Sequence, residues 1–124
     1  AHSIIIIGVG NLGHALMQNF PFADIGFSLD AAFDVSPAMI GTKVNGVDVR
    51  SLDELDGYCA DHLPDVAILT VPRSAAQSTV DHLGIRGFWN FTNKEVTSDR
   101  PDIQVESVHF ADSLLTLSYR ITKR

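Results

Sequence analysis

The run Ser3-Ile4-Ile5-Ile6-Ile7 leads directly into Gly8-Val9-Gly10-Asn11-Leu12-Gly13, and this junction limits the possible folds more than any other feature of the chain. A continuous β-branched run is the pattern of a parallel strand buried on both faces. Beyond the glycines, apolar residues recur at Leu12, Ala15, Leu16 and Phe20, a helical stripe that Pro21 ends. Strand, glycine turn and capped amphipathic helix, in that order, make the phosphate-binding unit of dinucleotide-binding folds. Gly8 is expected to turn the chain out of the strand, Gly10 to let backbone approach a pyrophosphate, and Gly13 to bring helix and strand together. The helix N-terminus then faces the phosphates, where free N–H groups and the helix dipole form an anion site without a lysine. The same glycine spacing also occurs as a purely structural turn, so the flanking elements carry the reading.

The remainder alternates in kind. Gly26 to Phe33 reads as a second strand, broken by Asp34-Val35-Ser36-Pro37 before a segment to Ile40 with one or two helical turns. Asn45-Gly46 between Thr42-Lys43-Val44 and Val47-Asp48-Val49 is the chemistry of a two-residue hairpin. Ser51 and Glu54 form a capping-box pattern, after which Leu52, Leu55, Cys59 and Leu63 mark one helical face that Pro64 stops. Val66 to Val71 is a buried strand closed by Pro72. Ser74 to Leu83 is a helix with Ala76, Val80 and Leu83 inward, and Ile85–Phe91 and Ile103–Val108 are further strands. This alternation predicts an α/β fold, a Rossmann-like doubly wound parallel sheet, within a single domain of 124 residues that leaves no room for a separate substrate domain. Phe110, Leu114, Leu117 and Ile121, with Leu115 beside them, form a heptad-like seam on a terminal helix. That helix either packs on its own sheet or docks on a second subunit.

Asp34 stands 21 residues after Gly13, where a ribose-binding acid is expected. A carboxylate there accepts from both adenosine-ribose hydroxyls and repels a 2′-phosphate, and no arginine or lysine follows until Lys43. The expected ligand is therefore NAD(H) rather than NADP(H), although an aspartate before Ser36-Pro37 also fits a simple turn. Thr70-Val71-Pro72 and Asn90-Phe91 end later strands and are expected to wall the nicotinamide half of the crevice.

Other chemistries find little support. The longest apolar run, Ile4–Ile7, is far too short to span a bilayer, and a net charge of −6 with singly scattered lysines and arginines offers no stripe for nucleic acid. The lone Cys59 excludes an internal disulfide or a cysteine zinc site; it reads as a small buried hydrophobe and fits a cytoplasmic chain. His2, His62, His82 and His109 have no metal-ligand spacing, so no metal is expected. Tyr119 and Lys123, with Ser107 twelve residues earlier, match the spacing of short-chain dehydrogenases, but they sit on the terminal helix with nothing after them to build the later strands of such enzymes. His14 is expected to cover the cofactor's polar rim or meet solvent rather than act as a base. With no acid, base or substrate pocket, the cofactor is expected to be a ligand rather than a reagent, and the chain a sensor, not an enzyme. The chain enters its first strand almost at once, with no targeting leader in view, and so reads as a trimmed fragment.

Beyond its spacing, the glycine motif carries an asparagine and a leucine that the general fingerprint does not require. With Ala31-Ala32-Phe33-Asp34-Val35, Pro37, Ile40-Gly41, Gly46-Val47 to Leu55, Ala67-Ile68-Leu69-Thr70-Val71-Pro72, Ala75-Ala76-Gln77, Asn90-Phe91 and Leu117-Ser118-Tyr119, the chain resembles the C-terminal half of the Rex redox-sensing transcriptional repressors of bacteria. The resemblance implies a Rossmann-like NAD(H)-binding domain at 1–108 and a helix at 109–124 exchanged in a homodimer. It also implies that DNA is contacted only through an N-terminal winged-helix domain absent from this chain. NADH would favour the form that leaves DNA and NAD⁺ would compete, a shift of populations between subunit arrangements. Phe110 would reach a nicotinamide site, that of the partner subunit. Three departures from the family stand out: His109 replaces a usual aspartate and brings a group that titrates near neutral pH, Thr92-Asn93 replaces alanine-proline, and the Asp81 to Gly87 loop is shortened. Two other readings stay open, the nucleotide-binding half of an NAD-dependent dehydrogenase and a CoA-binding module. Hydride turnover would reveal the first, and ligand competition the second; Asp34 suits NAD better than the 3′-phosphate of CoA.

Overall fold

In β1 (His2–Ile7), Ile4, Ile5, Ile6 and Ile7 are each 2% exposed or less and alternate between two hydrophobic clusters, one on each side of the sheet. Burying each isoleucine contributes about 1.5–3 kcal/mol over leaving it exposed, so this strand fixes the middle of the fold. The computed structural model describes residues 2–70, 79, 84–92, 97–98, 100–108 and 120–121.

Around β1 lie β2 (Phe27–Asp34), β3 (Lys43–Val44), β4 (Val47–Ser51), β5 (Val66–Leu69), β6 (Gly87–Asn90) and β7 (Gln104–Ser107), in the spatial order β3-β4-β2-β1-β5-β6-β7. Every pairing is parallel except β3 with β4. The six parallel strands follow the doubly wound Rossmann-like order, which reverses direction between β1 and β5 and opens a crevice there at the carboxyl edge. The hairpin adds one antiparallel edge strand to the expected parallel sheet. Its turn has φ of 51° at Asn45 and 84° at Gly46, the left-handed pair that a two-residue turn needs. The Asn45 amide donates to the Met17 carbonyl at 3.2 Å and ties the hairpin to α1 (Asn11–Asn19).

The helices bury only part of the faces that the periodicity indicated. In α1 the buried residues are Gly13 and Met17, with Leu16 and Phe20 half-buried, whereas Leu12 and Ala15 are exposed. The cause is Gly13: helix and strand are pressed together at a position without a side chain, so the residue one turn on, Met17, shares that face. In α2 (Leu55–His62), Leu55 and Cys59 are buried as expected, but Leu63 is 63% exposed at the helix end. The capping box of Ser51 and Glu54 opens a short 3-10 turn, Leu52–Glu54, before α2 begins. Leu63 is the C-cap of α2, with φ of 16° and ψ of 84°, so its backbone has left the helix and its side chain does not continue the face of Leu55 and Cys59.

The register of β2 on β1 slips once. Ile4 pairs with Leu29 and Ile5 with Ala31, which leaves Asp30 as the added residue of a bulge. Phe27 and Leu29 consequently join the cluster under α1, and Ala31 and Phe33 the cluster under α2. Of the expected helix at 74–83 only Thr79 is described, and it is helical; of the terminal seam only Ile121, helical and exposed, is described. Among the described residues no helix is long and apolar enough to cross a membrane.

Candidate dinucleotide site

The ends of β1, β2 and β5 meet where the strand order reverses. The Gly8 N–H donates to the Phe33 carbonyl at 2.8 Å, and the Thr70 N–H to the Ile7 carbonyl at 2.9 Å. The Thr70 hydroxyl donates to the Ile7 carbonyl at 3.3 Å and to the Gly8 carbonyl, so it clamps the glycine turn from the neighbouring strand. Gly8 has φ of +100°, and a Cβ there would lie 2.7 Å from the Thr70 hydroxyl oxygen and 2.9 Å from its carbonyl carbon. A Cβ on Gly13 would overlap the Gly8 carbonyl oxygen. Both glycines are therefore required by the protein itself.

Gly10 differs. Its φ and ψ of −80° and −160° suit any residue, and a Cβ there would have no neighbour within 4 Å. What a side chain at Gly10 would fill is open space at the mouth of the turn. Gly10 is also the N-cap of α1, which has no side-chain cap hydrogen bond and no acidic residue in its first turn. The expected helix is thus uncapped, and the leading N–H groups of α1 have no intrahelical partner. Open space above an uncapped helix N-terminus fits a bound phosphate group.

Asp34 closes β2 beside this turn and is half-buried. Its Oδ1 accepts from the Val9 N–H at 3.4 Å, so the carboxylate is oriented by the glycine loop itself. Val9 is buried, while Asn11, Leu12 and Val35 are exposed around the mouth, Val35 at 71%. One neighbour escaped the sequence reading. Strand pairing sets Phe33 beside Arg50 and Asp34 beside Ser51, so a cation stands on the strand adjoining the ribose acid, on the Phe33 face, although it lies sixteen positions away in the chain. The signals in the sequence were the Asn45-Gly46 hairpin, which returns the chain to β2, and the i,i+4 spacing of Arg50 and Glu54.

Across the reversal point the edge is built from side chains. Asn90 is 1% exposed; its Nδ2 donates to the Ser107 hydroxyl at 3.1 Å, and its Oδ1 accepts from the Thr92 N–H at 3.0 Å and the Thr92 hydroxyl at 2.6 Å. The amide expected to line the crevice is thus engaged inside the protein, and Ser107, weighed above as part of a dehydrogenase spacing, is its partner. Phe91 packs edge-on against Trp89 at 4.6 Å and joins the α1-side cluster. Val71, Pro72, His109, Phe110, Tyr119 and Lys123 lie outside the described residues. Burial, with Asp56 adding to it, raises the Cys59 thiol above its ordinary value and keeps it neutral in the core. Among the described residues no three histidine, cysteine or carboxylate side chains are grouped to hold a metal ion.

The sheet order, glycine turn and strand-end acid agree with what comparison with known proteins finds. The CoA-binding domain family matches residues 1–94. The chain belongs to that family. Within it the resemblance to the Rex repressors is borne out: the redox-sensing transcriptional repressor Rex of Caldicellulosiruptor saccharolyticus is 39% identical over 124 residues, which cover 98% of this chain and 56% of that protein. The Rex-family repressor RSP has been solved in complex with β-NADH, and with β-NAD⁺ and operator DNA. Each structure superposes with a TM-score of 0.90 at 36% identity over 99% of this chain, and over 61% and 58% of the respective RSP chain. The chain thus spans little more than half the length of these relatives. Against the Rex pattern, the departure at Thr92 now has a physical content, since its hydroxyl supplies a hydrogen bond to Asn90 that an alanine has no group to make. Asn93 and His109, the other substituted positions, are outside the described residues.

Proposed function

We propose that this chain is the NAD(H)-binding, redox-sensing and dimerising portion of a bacterial transcriptional repressor. The observation that carries the reading is the open space at Gly10 above an uncapped α1, with Asp34 on the adjoining strand end. Gly8, Val9, Gly10, Asn11, Leu12 and Gly13 would hold the pyrophosphate, Asp34 and Val35 the adenosine ribose. Thr70, Val71, Pro72, Asn90, Phe91 and Phe110 would surround the nicotinamide, Asn90 by shaping the wall from within. The bound dinucleotide supplies a ring whose charge and shape change on reduction, and a difference in affinity between the two forms is all that a population shift requires. In this reading residues 1–108 bind NAD(H), 109–124 form the helix exchanged between two copies, and DNA is contacted by the part of the longer relatives that this chain does not span. The cofactor is a ligand, no hydride is transferred, and the chain works in the cytoplasm.

The family's name points to CoA, but a carboxylate at the ribose position repels the phosphate that CoA carries on its ribose. Calorimetric titration with NADH, NAD⁺, NADPH and CoA in parallel, with absorbance followed for slow oxidation, tests the proposal. Tight NADH binding, weaker NAD⁺ binding and no turnover are expected. Binding of CoA alone, or steady turnover with a simple substrate, would overturn it.

A further inference from the structure

Resting on the NAD(H) reading, the geometry points to Glu54 and Tyr58 as a second selector against the 2′-phosphate of NADP(H), acting by holding Arg50 away from the ribose end of the site. The pairing of β2 with β4 puts Arg50 one strand away from Phe33, the residue before Asp34. Neighbouring strands lie about 4.8 Å apart, a gap that an arginine side chain spans. An arginine near the ribose acid is what this fold uses to accept a 2′-phosphate. Here it is occupied. Its Nη1 lies 3.8 Å from Glu54 Oε1, and its guanidinium carbon sits 5.3 Å from the centre of the Tyr58 ring.

Both anchors are themselves fixed. The second oxygen of Glu54 accepts from the Ser51 N–H at 3.2 Å, so the carboxylate that holds Arg50 is tied to the residue paired with Asp34. Tyr58 is set edge-on against Phe33 at 5.4 Å and stacked on His62 at 4.5 Å. Lys43, the other cation of this half, is engaged by Asp48 at 3.7 Å. Selectivity for NAD(H) thus has two parts, the repulsion by Asp34 and the restraint of the cation that would otherwise offset it. Because the Arg50 and Glu54 side chains are 42% and 54% exposed, the restraint is modest.

The test is a set of NADH and NADPH titrations on the chain with Asp34→Ala, with Asp34→Ala and Glu54→Gln together, and with Arg50→Ala added to that pair. Glu54→Gln keeps an oxygen for the Ser51 N–H and removes only the charge. Relative to Asp34→Ala alone, adding Glu54→Gln is expected to raise NADPH affinity about fivefold, in a salt-sensitive way, with NADH affinity unchanged. Arg50→Ala should cancel the gain, and Tyr58→Leu in the Asp34→Ala background should produce a similar one through the other anchor. If NADH binds but NADPH affinity does not respond to Glu54→Gln or Tyr58→Leu, the selector is refuted and the NAD(H) reading stands. If the unmodified chain binds neither dinucleotide, both fall together.

Discussion

The carboxyl edge of the sheet is built in two ways on either side of the reversal point. On the β1 and β2 side it is backbone: Gly8 and Gly13 are packed against Thr70 and each other, Gly10 faces open space, and the helix donors are left without a cap. On the β6 and β7 side it is side chain: Asn90 satisfies Thr92 and Ser107 and is itself almost fully buried. The first arrangement leaves hydrogen-bonding capacity for something outside the protein. The second spends that capacity within. A buried amide with its partners in place stabilises and shapes, whereas an uncapped helix end is incomplete until an acceptor arrives.

Four substitutions can break or sharpen this contrast. Gly8→Ala is expected to have the largest effect, lowering stability by about 2–4 kcal/mol in chemical denaturation, because positive φ and contact with Thr70 backbone act together. A melting curve close to that of the parent chain would show that the turn is looser than described. Asn90→Ala should cost about 2–3 kcal/mol by leaving the Thr92 N–H and hydroxyl without their acceptor, while affinity for ADP-ribose, which lacks the nicotinamide, stays within about twofold. Gly10→Ala should behave in the opposite sense. Titration is expected to show about a tenfold loss of NADH affinity, equivalent to about 1.4 kcal/mol, with stability lowered by less than about 1 kcal/mol for the poorer N-cap. Equal effects of Gly10→Ala and Asn90→Ala on both readouts would erase the distinction between the two halves. Thr92→Ala is the smallest, about 1 kcal/mol of stability for one hydroxyl hydrogen bond with the Thr92 N–H still bonded.

What could be read from the sequence follows the range of the interactions involved. The buried strand, the glycine turn, the hairpin and the capping box each announce themselves within a few residues, and each is found. Strand-end Asp34 was legible for the same reason, as its distance from Gly13 is a property of one βαβ unit. The inward face of α1 was not, because Leu12 and Ala15 obey helical spacing while the sheet selects Gly13 and Met17 through a contact with Gly8 that no periodicity encodes. Leu63 was misplaced because the helix ends at His62 and the chain turns out of helical geometry at Leu63, before the Pro64 that was read as the stop. Asn90 was recognised as a strand end, but nothing in the chain around it distinguishes an amide turned toward a ligand from one turned toward Ser107, seventeen residues on. Arg50 needed the partner strand to come into view.

The bulge at Asp30 lets a single strand be read in two frames. Residues up to Leu29 are indexed by the packing beneath α1, and those from Ala31 onward by the packing beneath α2. Pairing Asp30 with Ile4 in an unbroken ladder would fuse the frames and carry Phe27 and Leu29 to the opposite face, away from Phe20 and Phe22. With the added residue in place, the carboxylate at the far end of β2 answers only to the second frame. The entry to the strand can therefore change in length or sequence without moving Asp34, which separates the upkeep of one edge of the sheet from the use of the other.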